Sequence, residues 1–424
     1  MKVKTLDSIK AFFLIFLLVF NIKIRFIPVF TSNILLGLLG AALAVVLLSH
    51  NFRNIFISKR LYLHLLFFTF LLFYANATLM VNLSTDLSLI KLLVINNTIS
   101  ILAANFVAFY LYKKNIPLRR FFKIFVYVYF IQMIIVAVFF FNRDICRTAY
   151  TIIDMGDRIN GKLEDLIAYR AFGISFGFDM GTADLTVAMI FCVYLYLTEE
   201  NHYKHWLIIY VFCCAMGILV ARTMFLGIGV SGLFYIFFPN AKGKRKREEA
   251  LFSLILLIAI VVVIFFLFFD VEKYMRTIWW VTDIFVQMFS SKGLNHGSLY
   301  ELTKGDFVFV PETRTLIFGE GKFADNLVSR YTDVGYIRLL MYFGILGFII
   351  YFLYIFSRTT LFFREKKDTQ LKYMSFFLFL FQFIFFWKIY YPITSYPLLM
   401  LYGLMPYLNS KIRIRNNSNV TSVY

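Results

Sequence analysis

The chain has 424 residues, 61% hydrophobic and 20% aromatic, with only 16% charged residues and a formal net charge of +19. A soluble domain of this composition would lack the polar residues to cover its surface, so the class is an integral membrane protein. The positive charge does not point to nucleic acid, because it gathers in short loops between apolar runs.

A helix needs about 20 apolar residues to cross a hydrocarbon core roughly 30 Å thick. Such runs recur at 9–21, 27–48, 61–81, 91–112, 121–141, 174–197, 206–221, 223–238, 251–269, 334–356, 372–389 and 393–409. They predict an all-α polytopic fold in one membrane domain with about twelve transmembrane helices. Residues 11–20 are apolar, but no small-residue cleavage site follows before Lys23, so the first span reads as an uncleaved anchor.

Alternate loops differ sharply in charge. One set carries Arg53, Lys59 and Arg60, then KKNIPLRR, the KGKRKR run, REKK and the basic C-terminal tail. By the positive-inside rule this set and both termini are cytoplasmic. The opposite, external set contains the two long polar loops, 142–173 and 270–333. Residues 206–238 give a local check: they are nearly all apolar apart from Arg222-Thr223. A single helix of that length would span about 50 Å, too long for a bilayer. Two legs with an external turn are predicted, which sets Arg222 at the outer surface or in a wet cavity.

Of Cys146, Cys192, Cys213 and Cys214 only Cys146 falls in an external loop, and neither a disulfide framework nor metal-ligand spacing follows. There is no GxxxxGK[ST] and no HExxH motif. Any energy then comes from the substrate or from a gradient.

The polar chemistry lies in the two external loops. Arg170 stands just outside the sixth span, followed by Gly173, Gly177 and Gly181, which permit close backbone approach. Asp179 and Asp184 follow near the outer end of that span, where a carboxylate is costly unless paired or hydrated. The second loop closes on Arg330-Tyr331-Thr332-Asp333-Val334-Gly335-Tyr336-Ile337-Arg338. A helix starting near Thr332 would be capped by Thr332 or Asp333. Arg338 then lies about 7.5 Å deeper, where a guanidinium must snorkel, pair or face a cavity. Gly344 and Gly347 read as close helix-packing positions.

Three stretches in this order, YRAFGISFGFDMGTAD, ARTMFLGIGVSGLFYIFF and FGEGKFADN…RYTDVGYIRLLMYFGILGFIIYFLYIF, resemble the O-antigen and capsular polysaccharide polymerases, Wzy. Related O-antigen ligases share the plan but commonly carry a His where this chain has Asp333, a departure that favours polymerase over ligase. Arg170 and Gly181 also fit the RX10G pattern described in the family, although Arg170 is singled out here by its position.

The resemblance implies a GT-C-like, lipid-donor glycosyltransferase of the bacterial inner membrane, with an outward-facing cavity under the large periplasmic loop. Its substrates would be undecaprenyl-pyrophosphate-linked glycans within the membrane lipid, its partners a chain-length regulator and a flippase, and no cofactor, metal or nucleic acid is implied. Such chemistry needs positive charge on the departing pyrophosphate, a task for Arg170, Arg222 and Arg338, with Arg330 beside them. It also needs a base for the attacking hydroxyl, first Asp333, with Glu320, Asp325 and His296 behind it. Tyr336 and the Trp279-Trp280 pair are candidates for stacking on sugar faces, or are interface anchors. Two rivals share the topology: an O-antigen ligase, which changes the acceptor, and a lipid-linked oligosaccharide flippase or secondary transporter, for which an internal repeat would be expected.

Overall fold

The structure, a computed structural model, describes residues 5–27, 31–49, 59–155, 161–174, 178–199, 204–238, 271–289, 308–323, 327–330, 332–359 and 369–388. Among these residues the fold is helical, with two isolated β-bridges and no strand. Long apolar runs with their backbone groups satisfied internally give this outcome. Every predicted span that falls among the described residues has a helix at its place; the spans at 251–269 and 393–409 lie outside them. Among the described residues four helices are long and apolar enough to cross a membrane: Ser88–Lys113, Leu118–Phe141, Gly181–Thr198 and Gly335–Phe356. Several shorter apolar helices accompany them.

In chain order the helices are α1 (Thr5–Phe20), α2 (Ser32–Ser49), α3 (Lys59–Val81), α4 (Ser88–Lys113, with a π-helical turn at Leu92–Asn96) and α5 (Leu118–Phe141). Two short helices follow, α6 (Arg143–Ile152) and α7 (Leu163–Ile167), and then α8 (Phe178–Thr198), α9 (Lys204–Val220) and α10 (Met224–Phe237). The last four are α11 (Val271–Phe289), α12 (Thr313–Phe318), α13 (Gly335–Thr359) and α14 (Thr369–Phe385). The run 206–238 is thus two helices joined through 221–223, as its length demands. The segment 142–173 is partly helical, and the segment 270–333 opens with a helix of 19 residues.

Two large cores, with a small third cluster of Phe139, Cys146, Tyr150, Ile167 and Phe172, organise the described residues. The larger is built from α1, the second half of α4, α5, α8, α9, α10 and α14, joined by Leu36 of α2, with α8 at its centre and buried from Leu185 to Leu197. The smaller joins α3, the start of α4 and α13, and reaches α14 through Phe386. Close approach relies on small residues: at Gly40 of α2 a Cβ would collide with the Leu102 carbonyl of α4, and at Gly227 of α10 it would collide with Thr186 of α8.

The larger core has two distinct ends. At one, Glu199 follows α8 and meets Lys123 and Arg119 from the start of α5 and Trp206 from the start of α9. At the other, the turn between α9 and α10 is tied to α8 by Thr182 and Thr223, 2.9 Å apart, and to the approach of α8 by the Ala171 amide, which donates to the Leu219 carbonyl. The Arg222 end is where the polar segments 142–173 and 271–289 gather.

Gly344 corrects the sequence reading of α13. Its φ of 67° and ψ of −176° break the helix, so its close packing is not between regular helices: a Cβ there would collide with the Ile317 carbonyl of α12. A break strands carbonyls that would otherwise have accepted from amides of the next turn. The Glu320 and Gly321 amides take up this role, donating to the Met341 and Tyr342 carbonyls at 2.6 and 3.2 Å. Gly319 and Gly321 both have positive φ, which fits the loop into the gap. Gly347 does pack closely, against Tyr74 of α3.

Candidate functional site

Two groups of polar side chains gather the residues singled out in the sequence. The first centres on Trp280 of α11. The Arg170 guanidinium lies over its ring, 4.7 Å from the centroid, and that of Arg222 lies 5.5 Å away. The Tyr169 ring adjoins at 5.8 Å. Arg222 also donates to the Asp283 carboxylate at 2.9 Å, with side chains 21% and 43% exposed respectively. Asp283 follows Trp280 by three residues, so one helix presents both to Arg222. Cation–π contact and a charge-assisted hydrogen bond together fix the guanidinium.

Local sequence explains why α11 forms and where it lies. In VEKYMRTIWWVTDIFVQMF the residues buried against the protein, Tyr274 and Thr277, are three apart, while Arg276 is exposed. Tyr274 packs on Phe140 and Phe141 at the end of α5, with ring centroids 5.3 and 6.4 Å apart. Further along, Trp280 reaches Tyr169, Arg170 and Arg222, so α11 crosses over the ends of several core helices.

The second group surrounds the break in α13. Arg338 donates to the Phe323 carbonyl at 2.7 Å and lies over the Phe323 ring at 4.5 Å. The buried Asp86 accepts the Phe323 amide at 2.5 Å and the Ser88 amide at 2.9 Å, and Ser84 donates to the Gly321 carbonyl. Glu320 accepts from Ser329 at 2.6 Å and closes the segment after α12. Arg338 therefore fastens the loop 319–323 to α13. The expected cap is also displaced: α13 begins at Gly335, Val334 supplies the first accepting carbonyl, and Thr332 receives the Val334 amide at 3.0 Å. Asp333 stands half-buried just ahead of the helix.

Other candidates are dispersed. Tyr336 faces an aromatic cluster of Phe348, Phe352, Phe383, Phe386 and Trp387 and donates its hydroxyl to the Phe383 carbonyl, so it packs between α13 and α14. The exposed Arg330 lies 4.3 Å over the Phe309 ring. Gly181 is half-buried in the first turn of α8, and at Gly173 a Cβ would collide with Gln132. Asp325 and His296 lie outside the described residues.

The segment 142–173 has its own order. Asn142 caps α6 by accepting the Ile145 amide at 3.1 Å. Arg147 bridges Glu164 and Asp144, and its hydrogen bonds hold the Glu164 carboxyl below the usual range. Cys146 is buried, which pushes its thiol up to about 11 despite Arg147 nearby.

Sequence reasoning missed Asp283, Asp86 and the role of Trp280 as a shared platform. The helical pattern around Trp279-Trp280 was a usable signal for the first. No family model, no curated protein and no solved structure matches the chain.

Proposed function

We propose that this all-helical membrane protein is a polysaccharide polymerase, a GT-C-like glycosyltransferase that joins undecaprenyl-pyrophosphate-linked repeat units into O-antigen or capsular polysaccharide at the periplasmic face of the bacterial inner membrane. The observation that carries this reading is the meeting of Arg170 and Arg222, from separate helix ends, on one indole beside Asp283. A guanidinium stacked on a ring keeps its planar N–H fork at the edge, the geometry that grips phosphate oxygens.

In the proposed reaction the terminal hydroxyl oxygen of the acceptor attacks the anomeric carbon of the donor glycan. The bond from that carbon to the pyrophosphate oxygen breaks, and the electron pair leaves with polyprenyl pyrophosphate. Arg170 and Arg222 stabilise the charge that develops there. The hydroxyl proton passes to a carboxylate, Asp333 in this reading. Arg338 acts by fastening the loop that precedes Asp333, a positioning role supported by its bond to the Phe323 carbonyl.

Surface-glycan length in a deletion strain tests the proposal. Loss of the ladder to a single repeat unit on its usual carrier, restored by the wild-type gene and not by Arg222→Ala at equal abundance, is the expected result. Loss of every surface repeat with lipid-linked units accumulating would replace it with a flippase or ligase, separated by the side of the membrane on which the units collect.

A further inference from the structure

α11 has a third face that the Trp280 cluster does not use. Met275, Trp279 and Val286 are 40%, 61% and 50% exposed. At about 100° per residue they fall within roughly 40° of one another, so they form one stripe. Tyr274 and Thr277, turned away from it, are buried against the protein, and the exposed Arg276 flanks it.

A second apolar surface ends beside this helix. On α5, Ile131, Ile134, Val138 and Phe141 are exposed along one flank, as expected of a spanning helix against lipid. That flank ends at Phe141, whose ring adjoins Tyr274 of α11. At the same end α6 leaves α5 directly and turns its own Ile145 and Ile152, seven residues apart, outward. Apolar surface thus runs up a membrane-crossing helix and on to helices that cap its end. A helix with an apolar stripe, an exposed tryptophan and a flanking arginine has the build of one lying in the headgroup region.

We propose that α11 is an in-plane interfacial helix, with Met275, Trp279 and Val286 seated in the outer monolayer of membrane lipid and Arg276 among the headgroups. The consequence is positional. With its lipid face fixed at that depth, α11 holds Trp280 and Asp283, and through them Arg170 and Arg222, at the level of lipid-borne phosphates. The inference rests on the membrane class of the chain and stands whether or not the polymerase reading does.

Nitroxide labels test it in the full-length protein, reconstituted in phosphatidylethanolamine–phosphatidylglycerol vesicles and read against a parent lacking its native cysteines. Labels at Met275→Cys, Trp279→Cys and Val286→Cys should collide more with oxygen, which partitions into lipid, than with a water-soluble nickel chelate, and a label at Arg276→Cys should show the reverse order. Dominance of nickel at the three stripe positions would put them in water. Access to neither reagent would put them under protein, and either result overturns the proposal. If a cysteine variant does not fold, Trp279→Phe supplies the same answer: the share of tryptophan emission quenched by brominated lipid must fall, and an unchanged share counts against the lipid face.

Discussion

The two ends of the larger core each place cations beside a tryptophan and a carboxylate, and they use these groups in opposite ways. At the Glu199 end the carboxylate is the centre: its side chain is 9% exposed, and it takes the Trp206 indole N–H at 2.8 Å together with Lys123 and Arg119. At the Arg222 end the indole ring is the centre, two guanidiniums lie over it, and the carboxylate of Asp283 is 43% exposed. A buried acceptor surrounded by donors is a pin, because nothing from solution exchanges with it. A half-buried cation held by a ring and an accessible carboxylate can trade that carboxylate for another anion. The lesson is that similar residues make a closed joint at one end and leave an accessible ion pair at the other, the place where the proposed reading puts the phosphate, according to which partner is buried.

The largest expected effect follows at Arg222. Under the proposed function, Arg222→Ala should lower polymerisation by about 10²–10³-fold, the loss typical of removing one donor to developing charge, with abundance unchanged. Arg222→Lys keeps the charge but loses the fork and the ring contact, so it should recover only a small part. Glycan-length gels with quantified protein measure both. Loss of abundance in step with activity would make the Arg222 end a second pin and remove the contrast.

Glu199→Gln is the matching test of the joint. Burial pushes the Glu199 carboxyl up, but hydrogen bonds from Lys123 and Trp206 and the charges of Lys123 and Arg119 outweigh it, leaving the group below its ordinary range. A depressed carboxyl stabilises the fold at pH values above its ordinary value of about 4.3, and that stability is lost as pH falls through the lower folded value. The variant should be less stable by about 1–3 kcal/mol near neutrality. The gap should close on acidification, with polymer length normal throughout. Thermal unfolding in detergent across pH measures this, and a gap that persists in acid would deny that charge is the source.

Composition and apolar spacing made the helices legible because lipid leaves the backbone few alternatives. The division of 206–238 at Arg222 was legible too, since helix length and bilayer thickness are both fixed. The break at Gly344 was not: LLMYFGILGFIIYF, after Arg338, reads as an unbroken apolar run, and only the distant Glu320 and Gly321 amides make the interruption tolerable. The candidate site was half legible. Charge in an apolar context marked Arg170, Arg222 and Arg338, but nothing local separates the two that meet on Trp280 from the one that fastens the Phe323 loop. Asp283 was hidden because 271–289 was treated as loop, although its apolar positions follow a helical period.

A smaller effect is expected at Asp283, whose pair with Arg222 is partly exposed and worth about 1 kcal/mol or less. Asp283→Asn leaves an acceptor in place and removes the competing charge. The purified variant should bind inorganic pyrophosphate more tightly by about two- to fivefold at low salt, a gain that shrinks as salt rises. Unchanged binding would mean that Arg222 does not exchange its partner.

The finest discrimination comes from one substitution made at both ends. Trp206→Phe removes the indole N–H from the buried Glu199 carboxylate and should cost about 1–3 kcal/mol of stability, with polymer length unaffected. Trp280→Phe keeps a ring under Arg170 and Arg222 but weakens its attraction for them by a fraction of the roughly 0.5–2 kcal/mol such contacts provide, so stability should hold while polymer yield falls only about twofold. Trp280→Leu, which removes the ring, should fall further, giving the order Trp, Phe, Leu in yield at constant abundance. Equal yields for Phe and Leu would show that the side chain acts as bulk under α11. The two guanidiniums would then be neighbours by packing alone, and the proposed phosphate site would reduce to Arg222 and Asp283.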